Sequence, residues 1–332
     1  MARMTAVVQE SYGGPEVLSV REVPRPEPAA GQVLVRVRAA ALNAADWHIM
    51  RGLPLFARLT TGLRSPRGRV RGSDVAGVVE AVGSGVTRWG PGDEVYGELG
   101  LGGGGFATYA VVREDLLVRR PESLSPTQAA AVPLAGRTAL VCLRETARLR
   151  QGQRLLVNGA SGGVGTFAVQ LGHALGADVT GVCSTRNVEL VRSLGAKRVV
   201  DYTREDVATL GETYDVVLDL VGNRRLRDLR RLVSPGGVLV LSGGGTSTGR
   251  RELLGPAWLM VRGKLSARFL PFSVAVPQTP ESPEQLADLA ALVEAGTVTP
   301  VLDRTFPLTE AAAAMSYLEG EHARAKVVLT VD

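Results

Sequence analysis

The sequence predicts an α/β protein of two domains, one rich in antiparallel β structure and one built on a doubly wound parallel sheet. Three observations carry this prediction. The chain has 332 residues, about twice the length of a typical single domain. Residues 1–128 contain short alternating segments separated by Gly and Pro, whereas residues 129–276 alternate apolar β-branched runs with helical patterns.

In the first region, apolar and polar residues alternate over short segments. These segments lie at residues 5–8, 32–37, 77–82 and 107–112. Alternation with a period of two gives each strand one core-facing side, and the turn residues between the segments favour antiparallel neighbours. This region therefore predicts a sheet-rich domain.

The second region shows strand and helix patterns in turn. Strands are predicted at residues 154–157, 179–182, 198–200, 214–219 and 237–241, and helices at 166–175, 187–194 and 224–231. Continuous β-branched runs that alternate with helices are typical of a parallel sheet covered on both faces. We therefore assign residues 129–276 to a doubly wound domain.

The C-terminal segment starts with a proline-rich linker at Pro277. Helices are predicted at residues 283–295 and 308–318, followed by a last strand at 325–331. Because a terminal strand needs a sheet to join, we predict that residues 277–332 return to the domain formed by residues 1–128.

Composition excludes several classes of protein. Hydrophobic residues make up 45% and charged residues 21% of the chain, as in ordinary globular proteins. No apolar stretch reaches the roughly 18 residues of a membrane span, and the first residues lack the apolar core of a signal peptide, which predicts a cytoplasmic protein. Cys142 and Cys183 are too few for a disulfide framework.

The chain carries a formal net charge of +5, and its densest basic run lies at residues 224–231. Leucines at helical spacing within this run indicate an amphipathic helix whose arginines face solvent. This interpretation predicts no nucleic-acid partner.

The strongest chemical signal is a glycine-rich turn between a predicted strand and a predicted helix, Gly159-Ala160-Ser161-Gly162-Gly163-Val164-Gly165. It matches the dinucleotide pattern G-x-G-x-x-G except that Ala160 replaces the first glycine. Gly162 lets the backbone approach a pyrophosphate, Gly165 lets the helix pack on the strand, and the helix N-terminus supplies N–H donors. The turn therefore predicts a dinucleotide site.

The end of the second strand of this domain indicates which dinucleotide binds. NAD-specific sites usually place Asp or Glu about 20 residues after the turn, but residues 182–187 contain no acid. Ser184 and Arg186 can instead donate hydrogen bonds to a 2′-phosphate, which favours NADP(H), although Arg186 could equally be a solvated helix residue. Tyr202, at the end of the third strand, could reach the same phosphate or stack near the adenine, or it could be a half-buried strand aromatic.

Several ordered motifs resemble the medium-chain dehydrogenase/reductase superfamily, and they extend over essentially the whole chain. They are the opening segment at residues 5–8, the segment 72–83 that begins Gly72-Ser73-Asp74, the segment Gly92-Asp93-Glu94-Val95-Tyr96-Gly97, and the glycine-rich turn. The resemblance implies a GroES-like β-rich catalytic domain and a Rossmann cofactor domain.

The resemblance also bears on metal binding. Zinc alcohol dehydrogenases of this superfamily carry a Cys ligand in the segment that here spans residues 42–48, and a Gly-His-Glu segment where this chain has Gly72-Ser73-Asp74. The Cys and His ligands are missing, so we predict no metal and expect His48 to be a hydrogen-bonded helix residue.

The zinc-independent quinone oxidoreductase and enoyl reductase branch has Asn-x-x-Asp in this segment, which matches Asn43 and Asp46. Motifs at residues 159–168, 182–184, 190–196 and 322–324 are similar to NADPH oxidoreductases of the reticulon-4-interacting protein type. The resemblance therefore narrows to this branch.

The resemblance implies a cofactor site, position by position. Ser161, Gly163 and Val164 would hold the pyrophosphate, and Ser184 and Tyr202 the adenosine ribose phosphate. Asn43, Thr138 and the loop after the fifth strand of the cofactor domain, Leu241-Ser242-Gly243, would face the nicotinamide.

These features predict a zinc-independent enzyme that moves a hydride from C4 of NADPH to a quinone or an α,β-unsaturated carbonyl compound. Asn43 would donate to the developing charge on the acceptor oxygen, and solvent or Tyr96 would supply the proton. Arg324 would close over the cofactor, or else be a surface residue before the last strand. A non-catalytic NADPH-binding redox sensor or scaffold is the alternative function.

A homodimer is a further expectation. Edge strands of cofactor domains in this family often pair across a two-fold axis, and residues 238–241 through 265–269 could do so here.

Overall fold

The computed structural model of the protein describes residues 2–243, 270–320 and 323–331. The chain divides into two compact units. Unit 1 comprises Met1–Arg137, Pro280–Gly296 and Pro300–Asp332, and unit 2 comprises Thr138–Thr279 and Thr297–Thr299. The sequence analysis placed the boundaries at residues 128 and 276. Residues 129–137 instead fall to unit 1, and the helix Pro126–Ala130, which contains the first two of them, packs on the sheet of that unit.

The described residues form fifteen strands, numbered in chain order. They are β1 (Arg3–Gln9), β2 (Leu18–Pro24), β3 (Gln32–Ala41), β4 (Asp74–Val82), β5 (Glu94–Glu98), β6 (Tyr109–Arg113), β7 (Leu117–Arg119), β8 (Arg154–Asn158), β9 (Asp178–Cys183), β10 (Arg198–Asp201), β11 (Tyr214–Asp219), β12 (Val233–Leu241), β13 (Ser273–Ala275), β14 (Leu302–Pro307) and β15 (Lys326–Thr330).

The α-helices of the described residues are likewise numbered in chain order. They are α1 (Ala44–Arg51), α2 (Arg58–Thr61), α3 (Pro126–Ala130), α4 (Pro133–Leu140), α5 (Gly163–Ala174), α6 (Val188–Ser193), α7 (Leu226–Leu232), α8 (Pro283–Glu294) and α9 (Ala311–Gly320). A π-helical turn, Val141–Thr146, follows α4.

Unit 1 is organised around a seven-stranded sheet. Its strand order is β14-β15-β3-β4-β5-β7, and β6 also pairs with β3. The strands pair antiparallel except for β14 and β15, which are parallel, and the last strand β15 lies antiparallel to β3. Strands β1 and β2 form a separate antiparallel pair. The end of the chain thus lies beside a strand from its beginning.

The core of unit 1 follows from the alternation in the sequence. In β3, Val35 and Val37 are buried while Arg36 and Arg38 are exposed, as a period of two requires. Helix α1 contributes Met50 to the same apolar cluster. Burial of these side chains fixes the ends of β3, β4 and β15, where polar residues are found.

Unit 2 contains a six-stranded parallel sheet with the order β10-β9-β8-β11-β12-β13. The chain moves outward from β8 in one direction and then from β11 in the other. The sequence prediction of a doubly wound parallel sheet is therefore confirmed. In such sheets, ligands bind beyond the carboxyl ends of the strands where the order reverses, here between β8 and β11.

The helices of unit 2 cover this sheet with their apolar faces. Helix α7 buries Leu229 and Leu232 and exposes Arg227, Arg230 and Arg231, as the leucine spacing predicts. Leu156 of β8 and Val217 of β11 lie fully buried in the core of this unit.

Among the described residues, the helices are too short or too polar to cross a bilayer. Two features of the sequence analysis lie outside the described residues. They are the segment 265–269 of the expected dimer contact and His322 of the 322–324 motif.

Candidate functional site

The glycine-rich turn joins the C-terminal end of β8 to the start of α5. Gly159 has a φ of +88°, a conformation that side chains with a Cβ rarely adopt. A Cβ on Gly165 would lie 2.1 Å from the carbonyl oxygen of Gly159, so only glycine lets the helix come this close to the strand end. The predicted pyrophosphate residues, Ser161, Gly162, Gly163 and Val164, all lie in this turn and are partly exposed.

The N-terminus of α5 is open to a ligand. Gly162 is the N-cap residue and has no side chain to accept from the first N–H groups of the helix. Free N–H groups at a helix start, together with the helix dipole, attract an anion such as a pyrophosphate. The turn can therefore hold the phosphates of a dinucleotide.

A side-chain tie joins the strand ends beside this turn. The Nδ2 of Asn158, at the end of β8, donates to the Oδ1 of Asp219 at 2.8 Å. The same oxygen accepts the N–H groups of Val221 and Gly222, at 3.2 and 3.1 Å. The N–H of Ser242 donates to the carbonyl oxygen of Asp219 at 3.0 Å. These bonds hold the ends of β8, β11 and β12 in one place.

The predicted nicotinamide segment Leu241-Ser242-Gly243 lies at the end of β12. A Cβ on Gly243 would lie 2.7 Å from the backbone nitrogen of Gly222, so the two chain segments touch without room for a side chain. Leu241 is buried and Ser242 is partly exposed. Ser242 is thus the member of this segment with an accessible polar side chain.

The predicted adenosine residues lie at the ends of β9 and β10. Ser184 follows β9 and is partly exposed, Arg186 is exposed, and Tyr202 follows β10 with 52% of its surface exposed. The N–H of Tyr202 donates to the carbonyl oxygen of Cys183 at 3.0 Å, which joins the two strand ends. About half of the Tyr202 surface is thus accessible at the ends of β9 and β10.

Asp201, the last residue of β10, carries a carboxylate at these strand ends. It accepts the hydroxyls of Thr185 and Thr203 at 2.6 and 2.8 Å, and Arg204 lies 3.5 Å away. The hydrogen bond from Thr185 is the main reason that the pKa of Asp201 is lowered. The carboxylate is thus engaged by its neighbours in the chain.

Sequence reasoning missed Asn187 at this end of the site. Its side chain is 3% exposed, and its Nδ2 donates to the hydroxyls of Ser161 and Ser184 at 3.0 and 3.2 Å. It thereby links Ser161, a predicted pyrophosphate residue, to Ser184, a predicted adenosine residue.

Unit 1 contains a group of buried polar side chains, which we call the polar cluster: Asn43, Asp46, Ser73, Asp74 and Lys326. All five are at most 7% exposed. Asn43 lies at the end of β3 and start of α1, Asp74 opens β4, and Lys326 opens β15. Three strand ends and one helix start therefore meet in the cluster.

Asn43 is the centre of the cluster. Its Oδ1 accepts from the Nζ of Lys326 at 2.5 Å, and its Nδ2 donates to the Oδ2 of Asp74 at 3.0 Å. A second, longer contact joins Nδ2 to the carbonyl oxygen of Ala41 at 3.4 Å. The amide is held between a cation and an anion, which specifies its orientation.

Asp46 anchors the start of α1. Its Oδ2 accepts the N–H of Asn43 at 2.9 Å, and its Oδ1 accepts the hydroxyl of Ser73 at 3.0 Å. Burial is the main reason that the pKa of Asp46 is raised, and these hydrogen bonds oppose the rise. Asp46 thus serves the helix start and β4 rather than facing solvent.

Lys326 and Asp74 form the ion pair of the cluster. The Nζ of Lys326 lies 3.7 Å from the Oδ2 of Asp74 and also donates to the carbonyl oxygen of Leu42 at 3.1 Å. The other oxygen of Asp74 accepts the N–H of Leu134 at 3.2 Å. Burial raises the pKa of Asp74 to about 7, against the opposing effect of Lys326, and burial lowers the pKa of Lys326.

The polar cluster does not fit the zinc of related alcohol dehydrogenases. In this chain, the segments that match their zinc-ligand segments hold the amide of Asn43 and the hydroxyl of Ser73, whereas zinc prefers thiolate and imidazole. The ammonium of Lys326 already occupies the oxygen of Asn43 and would repel a metal ion. In the residues that the structure describes, no group of three or more His, Cys, Asp or Glu could hold a metal.

Tyr96, the predicted alternative proton donor, is fully buried in β5. Its hydroxyl has no hydrogen-bond partner among the described residues. Burial raises its pKa, and the negative charge of Glu294 adds to this effect.

The other predicted residues have varied surroundings. Thr138 lies in α4, next to Arg137, whose guanidinium makes two 2.9 Å bonds to the carboxylate of Glu98. Arg324 is exposed and lies 3.9 Å from Asp303, as expected of a surface residue.

His48 lies in α1 and packs edge-on against the ring of Trp47. Its Nδ1 is buried without a hydrogen-bond partner among the described residues. Burial lowers the pKa of His48 to about 4.

Two family models match the chain. The alcohol dehydrogenase GroES-like domain matches residues 29–122, and a family described as zinc-binding dehydrogenase matches residues 194–329. The second description names zinc, but the residues of the polar cluster do not fit that metal.

Known proteins resemble the chain over most of its length. A quinone oxidoreductase of Pseudomonas aeruginosa is 37% identical, with 96% of this chain and 97% of the relative covered. An NADPH-dependent alkenal/one oxidoreductase of Arabidopsis thaliana is 37% identical over 98% of this chain and 79% of its own length. The quinone oxidoreductase structure from Coxiella burnetii has a TM-score of 0.83 and 30% identity, and each chain is fully covered.

The ion pair in the polar cluster predicts a stability change. Lys326→Met leaves the carboxylate of Asp74 buried without its cation, and breaking a buried pair costs about 3–5 kcal/mol. We expect a fall of that order in the free energy of unfolding, measured by urea denaturation at pH 8.

Adding Asp74→Asn to Lys326→Met should recover part of the loss, because no uncompensated charge is then buried. Lys197→Met is the matched control. The ion pair of Lys197 with Asp178 is exposed, so its loss should change the free energy of unfolding little. Equal stability of Lys326→Met and the wild type would refute a structural role for the pair.

The burial of His48 predicts a pH dependence of stability. Its folded pKa of about 4 lies below the value of about 6.5 expected in the unfolded chain, so the unfolded state binds more protons between these values. The contribution of neutral His48 to the free energy of unfolding is complete above about pH 6.5 and is lost as the pH falls towards 4. Between pH 7 and pH 5 the loss is about 2 kcal/mol.

Urea denaturation of the wild type and of His48→Gln at both pH values measures this contribution. The variant should lose less stability on acidification than the wild type. His173→Gln, at an exposed histidine, is the control. The prediction is wrong if His48→Gln and the wild type lose the same stability.

Proposed function

The chain belongs to the quinone oxidoreductase branch of the medium-chain dehydrogenase/reductase superfamily, and on that premise we propose that it reduces a quinone or an α,β-unsaturated carbonyl compound with NADPH. The observation that carries this proposal is the open N-terminus of α5, with Ser184 and Arg186 just after β9 and the carboxylate of Asp201 already hydrogen-bonded to Thr185. The relatives named as quinone and alkenal/one oxidoreductases support it.

The cofactor is NADP(H). A 2′-phosphate needs hydrogen-bond donors and is repelled by a carboxylate. The carboxylate of Asp201, at the end of β10, is engaged by Thr185 and Thr203, while the hydroxyl of Ser184 and the guanidinium of Arg186 can donate hydrogen bonds. The Arabidopsis relative is named as NADPH-dependent, which agrees with this choice.

The reaction requires a hydride and a proton. When bound, NADPH supplies the hydride. The residues of unit 2 would bind and orient the cofactor: Ser161, Gly162, Gly163 and Val164 at the pyrophosphate, Ser184, Arg186 and Tyr202 at the adenosine, and Thr138, Leu241, Ser242 and Gly243 at the nicotinamide. Arg324 stays a predicted cofactor contact.

Asn43 is proposed to stabilise negative charge on the acceptor oxygen. Lys326 holds its Oδ1 and Asp74 holds one hydrogen of its Nδ2. The second hydrogen makes only the 3.4 Å contact to Ala41, which is long for an N–H···O bond. That hydrogen is available to an acceptor oxygen, and the bonds to Lys326 and Asp74 fix its direction before substrate binds.

Solvent is the proton source favoured by the chemistry of Tyr96. A general acid works best when its pKa is near the working pH. Burial moves the pKa of the Tyr96 phenol away from that range, so proton release from it is costly. A reduced quinone or an enolate can take its proton from water instead.

The remaining expectations concern the state of the protein in the cell. A homodimer, the absence of a nucleic-acid partner and a cytoplasmic location stay predictions.

The proposed activity is tested by NADPH consumption with a panel of quinones, enones and primary alcohols. NADH is run in parallel, and one arm contains a chelator. We expect turnover of quinones or enones, a preference for NADPH, and no effect of the chelator. Tight NADPH binding with no acceptor turned over would indicate a sensor, and chelator-sensitive alcohol oxidation would indicate a metal enzyme.

The proton source is tested by Tyr96→Phe. If solvent provides the proton, kcat should stay within about twofold of the wild type, because the lost hydroxyl has no partner among the described residues. A fall in kcat of about a hundredfold or more, with NADPH affinity unchanged, would assign the proton transfer to Tyr96.

A further inference from the structure

Asn187 lies between two serines that the proposed function assigns to different phosphates. Its Nδ2 donates one hydrogen bond to the Oγ of Ser161 and one to the Oγ of Ser184. Ser161 belongs to the glycine-rich turn after β8, and Ser184 follows β9. The amide nitrogen has two hydrogens, so both are used in these bonds.

The side chain of Asn187 does not cap the helix that it precedes. Asn187 is the N-cap residue of α6, and asparagine at this position usually accepts a hydrogen bond from the first turn of its helix. Here no such cap bond is made, and Oδ1 is buried with no partner among the described residues. The side chain makes no cap bond to its own helix, and its Nδ2 donates to the two serines instead.

The orientation of this amide follows from hydrogen-bond chemistry. Rotating the amide by half a turn would place Oδ1 against the serines and leave both hydrogens of Nδ2 buried without acceptors. The observed orientation leaves one acceptor unsatisfied instead of two donors, and buried unsatisfied donors are the rarer case. The amide nitrogen therefore faces the hydroxyls.

We propose that Asn187 is a positioning residue that turns the hydroxyls of Ser161 and Ser184 into donors for the cofactor phosphates. A serine hydroxyl has one hydrogen to donate and two lone pairs to accept. Because Asn187 fills a lone pair on each hydroxyl and offers it no acceptor, the hydrogen of each remains for another partner. Phosphate oxygens accept hydrogen bonds and donate none when ionised, so this polarity suits an anion.

This inference rests on the proposed function and specifies how the site distinguishes NADPH from NADH. Ser161 acts on the pyrophosphate, which both cofactors have, while Ser184 acts on the 2′-phosphate, which only NADPH has. Loss of Asn187 should therefore weaken both cofactors but weaken NADPH more. A residue that merely stabilises the fold would not change the ratio of the two affinities.

The first experiment compares the wild type with Asn187→Ala. Dissociation constants for NADPH and NADH are measured by nicotinamide fluorescence without an acceptor. We expect the Kd for NADPH to rise about tenfold and that for NADH about threefold, because hydroxyls without a fixed orientation lose part of a charge-assisted bond. Ser193→Ala, at the other end of α6, is the control and should leave both constants unchanged.

A double-mutant cycle separates positioning from structure. With Ser184→Ala as the background, Asn187→Ala should no longer change the ratio of the NADPH and NADH constants, because the hydroxyl it orients is gone. If Asn187→Ala lowers both affinities equally in both backgrounds, its role is structural and the proposal is overturned.

A second variant tests the proposal even if Asn187→Ala folds poorly. Asn187→Asp keeps the shape of the side chain but accepts hydrogen bonds where asparagine donates, so it should lower the NADPH preference at least as much. Retention of the wild-type preference by Asn187→Asp would overturn the proposal. Failure of the wild type to bind NADPH would instead remove the proposed function itself.

Discussion

The ends of three strands of unit 1 meet at the buried ion pair of Lys326 and Asp74. Both charges have been removed from water, and the need to pair them determines how these strand ends are arranged. Neither charge is tolerated in the core alone, because desolvation costs several kcal/mol for each ion. Asn43 lies between them and satisfies both with the two ends of one amide. Since its backbone N–H is held by Asp46, the start of α1 is fixed by the same contacts. A change in any member of the polar cluster therefore disturbs β3, β4 and β15 together.

Unit 2 uses side-chain amides for a similar purpose. Asn158 ties the end of β8 to Asp219 at the end of β11, where the strand order of the sheet reverses. Asn187 joins the end of β9 to the glycine-rich turn. An amide carries donors and an acceptor without a charge, so it can connect strand ends in a partly buried site without repelling an anionic cofactor. Amide side chains thus join the strand ends of unit 2, while the buried ion pair lies in unit 1.

The parts of the fold and site that sequence analysis could predict are those coded by neighbouring residues. The strand at 214–219 and the glycine-rich turn are each continuous in sequence. Ser184 and Arg186 come just after one strand, so they are found by counting residues from the glycine-rich turn. Lys326 escaped prediction because its partner Asn43 is 283 positions away, and only the pairing of β15 with β3 brings them together. Asn187 escaped for a different reason. Asparagine before a helix is ordinarily explained as a cap, and sequence gives no sign that the side chain turns elsewhere.

The ammonium of Lys326 and a metal ion are both cations, but they impose different chemistry on the residues around them. A catalytic zinc keeps an open position at which a substrate oxygen can bind and be polarised. An ammonium has three hydrogens and no open position, and two of these already bind the oxygens of Asn43 and Leu42 while Asp74 lies 3.7 Å away. It can organise the cluster but cannot exchange these partners for a substrate without leaving buried groups unpaired. In the proposed mechanism, the second N–H of Asn43 would supply a directed hydrogen bond to the charge on the acceptor. One hydrogen bond stabilises an oxyanion less than a metal does, and so it favours acceptors that delocalise the charge themselves, as conjugated carbonyl compounds and quinones do.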